Sequence, residues 1–170
     1  MNTLSPFLTL DTVRVDLDVV SRKRLFEEAA LVFEASYGIP HTDAFDALFA
    51  REKLGCTCLG RACAIPHGRL ETLDKPAACF IRTKNPVEME APDGRPAQLF
   101  FFFLVPAQTA EQFSSILQEA KALFADKDIR QQLLQAPTPV AVCDLIHNWV
   151  SPNENASIET ENPVPPLSEN

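Results

Sequence analysis

The chain has 170 residues, of which 46% are hydrophobic and 22% are charged, so it is long enough to bury one core but too short for two ordinary domains. Its net charge of -8 and its pI near 4.8 argue against a nucleic-acid partner, because affinity for a phosphate backbone comes mainly from clustered Lys and Arg. We therefore expect one globular domain, residues 1–150, with no nucleic acid bound to it.

The N-terminal residues MNTLSPFLTLDTV lack the basic and apolar regions of a secretory signal. The longest apolar run, LFFFFLV at 99–105, has seven residues and is too short to cross a bilayer. We expect no membrane insertion and a cytoplasmic location. In a reducing cytosol the five cysteines, an odd number, would remain thiols, so a disulfide framework is not expected.

Taken in chain order, the first elements are a strand and two helices. Alternation of apolar and polar residues predicts a strand at 13–17. Ser21 is the predicted N-cap of the first helix. Apolar residues recur at helical spacing after it, and Gly38 is expected to end the helix. A second helix is predicted at about 42–54, where Gly55 stops it.

The middle of the chain predicts a sheet. CTCL and ACAI are short β-compatible runs, and they predict a small hairpin or edge pair that stops near His67. Residues 77–83 and 99–105 predict two longer strands, and the second is apolar at every position, as in a central strand covered on both faces. Helical segments follow around 109–124, 128–134 and 140–150. The predicted fold class is α/β, with a mixed sheet flanked by helices.

The last twenty residues, 151–170, differ in composition from the rest. They contain four Pro and four Glu and no Lys or Arg, and they carry -4 of the net charge of -8. Such a segment buries too little apolar surface to offset the entropy of ordering. We predict a disordered acidic tail.

Residues 51–69, REKLGCTCLGRACAIPHGR, concentrate three of the five glycines, three of the five cysteines and one of the three histidines. Cys56, Cys58, Cys63 and His67 would supply four zinc ligands. Their spacing lacks the paired C-x2-C knuckles of common zinc sites, and cysteines are often small core residues. We therefore predict that no metal is bound, and we keep a zinc site as the alternative.

A phosphate-handling histidine is the other interpretation of this stretch. Pro66 fixes the backbone before His67 and Gly68 lets it turn sharply, which leaves the imidazole at a strand end as a possible nucleophile. The stretch has a local charge of +3 inside an acidic protein, which suits a dianionic ligand. His41 and His147 have no such cluster of glycine and basic residues beside them in the sequence, and we expect both to be ordinary surface or core residues.

REKLG, CTCLGRACAIPHGR, the preceding FDALFA and the downstream APDG together resemble the type-2 enzyme IIA domain of the bacterial phosphoenolpyruvate-dependent phosphotransferase system. The resemblance covers residues 5–150. The runs VDLDV and APDGRP are more similar to the nitrogen-regulatory members of the family than to its fructose and mannitol domains. It implies a mixed sheet of roughly five strands with helices on both faces. It also implies that His67 is phosphorylated, on Nε2, and that Arg51 holds the phosphoryl group.

The same resemblance implies an enzyme: a phosphotransferase component with a phosphohistidine intermediate. A phosphohistidine carrier protein is the expected donor, and a transporter or sensor kinase is the expected kind of regulatory target. No Walker-type or dinucleotide glycine motif is present, so no cofactor is predicted. The expected function is a phosphoryl-relay regulatory protein that signals nitrogen, carbon or ion status through its phosphorylation state.

The chain departs from the family pattern at three places. Cys56, Thr57 and Cys58 stand where the family usually has Ser-Thr-Gly, and Arg61-Ala62 stands where it has Asn-Gly or a similar small pair. The second active-site histidine of the family is replaced by Gln112, which can donate a hydrogen bond to a phosphoryl oxygen but cannot transfer a proton. Thr57 and Gln112 are retained as candidate site residues, although Thr109 to Gln112 also fits a capping box.

Three other functions remain open at this point. A free-standing enzyme IIA could pass phosphate to a separate sugar permease of the fructose or mannitol type. The replacement of the second histidine favours a phosphorylation-silent binding protein that kept the fold. The cysteines leave a Cys/His metal or redox module as a third alternative.

Overall fold

The structure, a computed structural model, describes residues 2–153. A 3-10 turn at Ser5–Phe7 precedes six strands and five α-helices in this part of the chain. In chain order these are β1 (Val13–Leu17), α1 (Arg22–Tyr37), α2 (His41–Lys53), β2 (Cys58–Gly60), β3 (Cys63–Ala64), β4 (His67–Leu70), β5 (Ala77–Val87), β6 (Ala97–Pro106), α3 (Ala110–Ala125), α4 (Lys127–Gln135) and α5 (Pro139–Asn148). The predicted tail lies, after its first three residues, outside the described residues.

The strands form one mixed sheet in the order β1-β5-β6-β3-β2, with β4 also paired to β6. β5 and β6 are antiparallel, whereas β1 runs parallel to β5 and both β3 and β4 run parallel to β6. The predictions of an α/β class and a central strand at 99–105 are confirmed, because every residue from 99 to 105 is buried.

The six strands occupy five positions across the sheet. β3 pairs Ala64 with Phe100 and β4 pairs His67 with Phe103, so both lie in the same register along one edge of β6. The break between them falls at Pro66, which has no N–H to donate to a ladder. The predicted hairpin is confirmed, since β2 and β3 pair antiparallel and end at Ala64, whereas the strand β4 that begins at His67 was not predicted.

The sheet separates two apolar layers. Because side chains alternate along a strand, Phe101 and Phe103 of β6 pack with α3, α4 and α5, whereas Phe100 and Phe102 pack with α1 and α2. Helices therefore cover both faces, as predicted. Among residues 2–153, none of the helices combines the length and apolar content that a membrane span requires.

The helix boundaries follow the predicted signals. The Ser21 side chain accepts a hydrogen bond from the N–H of Arg24 at the start of α1, and Gly38 ends this helix in the left-handed conformation, with φ of 70°. The second helix begins at His41 and ends at Lys53, one residue earlier at each end than predicted. These two helices form the layer that faces β4 and carries Arg51.

Candidate active site

His67 is the first residue of β4, and its ring is fixed by three neighbours. The residue is only 7% exposed, and its ring stacks on Phe103 at 5.0 Å between centroids while Phe113 meets it edge-on at 5.3 Å. Nδ1 lies 2.7 Å from the carbonyl oxygen of Ile65. Since a carbonyl only accepts, Nδ1 carries the proton and Nε2 keeps a free lone pair.

The surroundings of His67 keep its ring neutral. Burial lowers the pKa of the imidazole, and the positive charges of Arg51, Lys121 and Arg69 lower it further, while the hydrogen bond to Ile65 acts in the opposite direction. A neutral ring with Nδ1 protonated presents Nε2 as a nucleophile at neutral pH. The site therefore holds the one protonation state that nucleophilic attack needs.

Gly68 allows α2 to approach β4 closely. A Cβ atom at this position would lie 2.7 Å from the carbonyl oxygen of Ala47 in α2, which is a backbone clash. The prediction that Gly68 provides a sharp turn is wrong, because the residue lies within β4. Its missing side chain instead lets α2 pack against the strand that begins with His67.

Arg51, near the end of α2, lines both cavities that border His67. One cavity, of about 310 Å³, is enclosed partly by Arg69 and the exposed Leu54, and the other, of about 290 Å³, by the loop after α2 and by α3. The guanidinium group of Arg51 donates from Nη1 to the carbonyl oxygen of Gly55 at 3.0 Å. Arg51 and His67 are therefore brought together as predicted from the sequence.

Thr57 also lines the second cavity, but its hydroxyl is already engaged. It donates to Oε2 of the buried Glu52 at 2.7 Å, and the Thr57 N–H lies 3.4 Å from Oε1 of the same carboxylate. Burial raises the pKa of Glu52, an effect that the bonds from Thr57 and the charges of Arg22 and Arg51 oppose. Thr57 thus ties the loop to α2, and its carbonyl oxygen accepts from the N–H of Ile65 at 3.0 Å.

Two further groups at the site had no signal in the local sequence. Lys121 of α3 lines the same cavity as His67 and Arg51. Phe113, expected only as part of an apolar helix face, touches the His67 ring and also lies under the Arg69 guanidinium group, 4.6 Å from the ring centroid. The cavities therefore combine a neutral imidazole with three cationic side chains, an arrangement suited to a phosphoryl group.

The family model described as "Phosphoenolpyruvate-dependent sugar phosphotransferase system, EIIA 2" matches residues 6–149. The chain belongs to this family. Members of this enzyme IIA family are phosphotransferase components with a phosphohistidine intermediate, so the prediction of an enzyme of this kind is confirmed.

Relatives of this enzyme IIA protein agree with the predicted subtype. A nitrogen regulatory protein of Pseudomonas aeruginosa is 34% identical over 149 residues, covering 86% of this chain and 96% of its own. The crystal structure of the nitrogen regulatory protein IIA-Ntr from Neisseria meningitidis has a TM-score of 0.78 and 41% identity, over 84% of this chain and 98% of that one. Mannitol IIA of Escherichia coli, at 21% identity over 82% of this chain and 98% of its own, shares the fold with a TM-score of 0.67. The predictions of the nitrogen-regulatory subtype and of a phosphoryl-relay regulatory protein are confirmed.

Gln112 does not join His67 in this enzyme IIA structure. It lines a separate cavity with Thr3, Phe7 and Pro76, while its neighbour Phe113 faces the histidine. The capping-box interpretation is also wrong, because the Thr109 side chain makes no cap hydrogen bond and donates to the carbonyl oxygen of Pro106 instead. A shift of one residue along a helix rotates a side chain by about 100°, which separates residue 112 from residue 113.

The zinc alternative finds no support in the geometry. Cys56 and Cys58 are joined by a disulfide, and Cys63 is buried with its sulfur 3.5 Å from the carbonyl oxygen of Arg61. Within residues 2–153, no three His, Cys, Asp or Glu side chains are grouped to hold a metal ion. The expectation that the cysteines are all thiols is wrong for this pair, since the loop before β2 brings the two Cα atoms within 5.3 Å, a separation that a disulfide can bridge.

The remaining motifs have structural roles. Arg61 and Ala62, with φ of 56° and 65°, form the turn between β2 and β3, and Asp93 of the APDG run accepts a hydrogen bond from the Arg61 N–H at 2.9 Å. That bond and one from the Arg95 N–H lower the pKa of Asp93. His41 pairs through Nδ1 with Glu34 at 2.8 Å, and His147 donates from Nε2 to the carbonyl oxygen of Leu8 at 2.8 Å, so neither histidine resembles His67.

Proposed function

We propose that the protein accepts a phosphoryl group on Nε2 of His67 from a phosphohistidine carrier protein and signals nitrogen, carbon or ion status through its phosphorylation state. The observation that carries this proposal is the hydrogen bond from Nδ1 to the Ile65 carbonyl oxygen, which directs the free lone pair to Nε2 of a neutral ring. Arg51 borders the same two cavities. A nucleophile and a phosphate-binding cation therefore meet at one place.

The transfer step balances without any other acid or base. The Nε2 lone pair of His67 forms a bond to phosphorus as the bond from phosphorus to the carrier's histidine breaks, and that electron pair returns to the carrier's ring. His67 then bears a positive ring with Nδ1 protonated, which the Ile65 carbonyl oxygen stabilises as acceptor. The phosphoryl group moves from one imidazole to another, so the second histidine of the family is not needed as a proton donor.

Positive side chains offset the charge of the transferred group. Arg51, Arg69 and Lys121 all act on the His67 ring, and the phosphoryl oxygens would lie among them. Each charge-assisted hydrogen bond contributes about 1.5 to 3 kcal/mol. Thr57 contributes by fixing the loop through Glu52 rather than by donating its hydroxyl.

Phosphorylation would change the surface that partners meet. Close to two negative charges would be added beside a basic cluster, while Leu54, which is 84% exposed, stays at the mouth of the cavity. The two forms would then dock differently on a carrier protein and on a regulatory target such as a transporter or sensor kinase. We expect both partners in the cytoplasm.

The test is the intact mass of the protein after incubation with phosphoenolpyruvate, enzyme I and the phosphocarrier protein. We expect one acid-labile phosphoryl group on the wild type and none on His67→Gln, which keeps most of the volume of this buried ring. His147→Gln is the matched control, because His147 also bonds a backbone carbonyl but lies on α5 and lines neither cavity at His67. Thermal unfolding of each variant verifies that the fold is intact.

Two results would overturn the assignment. Phosphate on His67→Gln would identify a different acceptor, and no phosphate on the wild type would favour the binding protein that lost the reaction. Onward transfer from the phosphorylated protein to the IIB domain of a fructose or mannitol permease would favour sugar transport instead of regulation.

A further inference from the structure

Cys56 and Cys58 form a disulfide at the edge of the His67 cavity. Both residues are half-buried, and both line this cavity together with Thr57, Arg51 and His67. The sequence resemblance implies Ser and Gly at these two positions. Nothing in the proposed transfer step uses either sulfur.

The other three cysteines are inert core residues. Cys63, Cys79 and Cys143 are free and buried. Burial raises the pKa of the Cys63 thiol to about 12 and also raises the pKa values of Cys79 and Cys143, so thiolates do not form readily there. The molecule therefore confines accessible sulfur chemistry to one pair.

This disulfide contributes little to the stability of the fold. It spans a single residue, and the entropy removed from the unfolded chain grows with the length of the closed loop, so the effect is minimal here. Arg51 and Lys121 line the same cavity, and nearby cations favour the thiolate that thiol–disulfide exchange requires. The small contribution to stability and the nearby cations both indicate that this disulfide takes part in thiol–disulfide exchange rather than stabilising the fold.

The loop that carries the pair is connected to the nucleophile. The carbonyl oxygen of Thr57 accepts from the N–H of Ile65, whose own carbonyl oxygen accepts from Nδ1 of His67. In the disulfide form, the N–H of Thr57 is directed at Glu52, and the N–H of Cys58 lies 3.2 Å from Sγ of Cys56. The backbone donors nearest the cavity are thus directed into the loop rather than toward a phosphoryl group.

We propose that Cys56 and Cys58 are a reversible thiol–disulfide site, and that its oxidation slows phosphorylation of His67. The second half of this proposal depends on the proposed function. The oxidant is a low-molecular-weight disulfide such as oxidised glutathione. One cysteine thiolate attacks it and releases a thiol, and the second cysteine then attacks the mixed disulfide and releases another, so two electrons pass to the oxidant. Reduction by two external thiols reverses both steps and removes the covalent link between the two residues, so that the loop can redirect the N–H of Cys58.

The test compares oxidised and reduced protein in two measurements. Oxidised glutathione or a thiol reductant is applied and then removed, and the native protein is alkylated and mapped by peptide mass. We expect Cys56 and Cys58 to be alkylated only after reduction. Single-turnover transfer from purified phosphocarrier protein should then be at least about tenfold slower for the oxidised form, in line with the loss of a preorganised donor.

The matched variant is Cys56→Ser/Cys58→Gly, which restores the usual family residues. It should transfer at one rate under both treatments, whereas Cys143→Ala should respond like the wild type. Equal rates for oxidised and reduced wild type, or a full response in the double variant, would overturn the control of transfer. Alkylation of both cysteines after oxidation would overturn the site itself. A lack of transfer in every form would overturn the proposed function, while the alkylation pattern would still decide whether the pair is reversible.

Discussion

The cavities at His67 and the groove between α4 and α5 differ in size and in charge. The groove is the larger space, about 860 Å³, and Asp126, Asp128 and Asp144 line it. The two cavities at His67 measure about 310 and 290 Å³ and are lined by cations and a neutral imidazole. A dianionic phosphoryl group would be repelled by the groove and attracted to the smaller cavities, so charge and a nucleophile identify the site better than volume does.

Asp126, one of the acidic residues of the groove, has a local structural role. The Asp126 side chain accepts from the N–H groups of Asp128 and Ile129 and so caps the start of α4, and it also accepts from Nε1 of Trp149 at 3.2 Å. At His67 the charged side chains instead converge on the proposed nucleophile from α2, β4 and α3. Mutations can distinguish the two regions, because only the side chains that converge on His67 should affect the rate of phosphoryl transfer.

The largest difference between the two regions should appear with Arg51→Ala. Removing this cation should slow phosphoryl transfer about 100-fold, because its charge no longer offsets the transferred oxygens. Asp144→Asn in the groove is the matched control and should leave the rate unchanged. Single-turnover transfer from the phosphocarrier protein measures both. A similar loss in the two variants would contradict the division between the regions.

Lys121→Gln should show a smaller effect on the same rate. We expect transfer to slow by about tenfold, because one of three positive charges at the cavity is lost. Gln112→Ala should change the rate by less than about twofold, since Gln112 lies in a different cavity. A larger loss for Gln112→Ala than for Lys121→Gln would mean that the family position still acts on the phosphoryl group.

Much of the fold and part of the site follow from local sequence signals. The spacing of apolar residues predicted β1 and the helices, and an unbroken apolar run predicted β6, because such patterns are properties of each element alone. Arg51 and His67 were found through residues close in sequence. Lys121 was not, since it lies more than fifty positions from His67 and only the packing of α3 on the sheet brings it near. Gln112 was predicted at the site, but its neighbour Phe113 lies there, because a difference of one position on a helix decides which cavity a side chain enters.

The pH dependence of His67 should be weak near neutrality. An unperturbed histidine is half protonated near pH 6.5, whereas burial and the neighbouring cations lower the pKa of His67 below that value. The ring should therefore stay mostly neutral at pH 6.5, and stability should fall only as the pH decreases below it, because the unfolded chain then binds the proton more readily. An NMR titration, with the ring signal assigned by its absence in His67→Gln, measures this. A midpoint at or above 6.5 would contradict the burial of the ring.

The smallest expected effect concerns backbone strain, which also distinguishes the two regions. Arg61 and Ala62, in the turn beside the His67 loop, both have positive φ, whereas residues 126–148 around the groove include none with this conformation. Glycine adopts such a conformation without a Cβ penalty, so Ala62→Gly should raise the free energy of unfolding by about 0.5 to 1 kcal/mol. Ala64→Gly, two residues later in β3, should lower it instead, because the buried strand loses a side chain. Urea unfolding of both variants measures the difference, and a change of the same sign would mean that the turn is not strained by the replacement of the family's small residues.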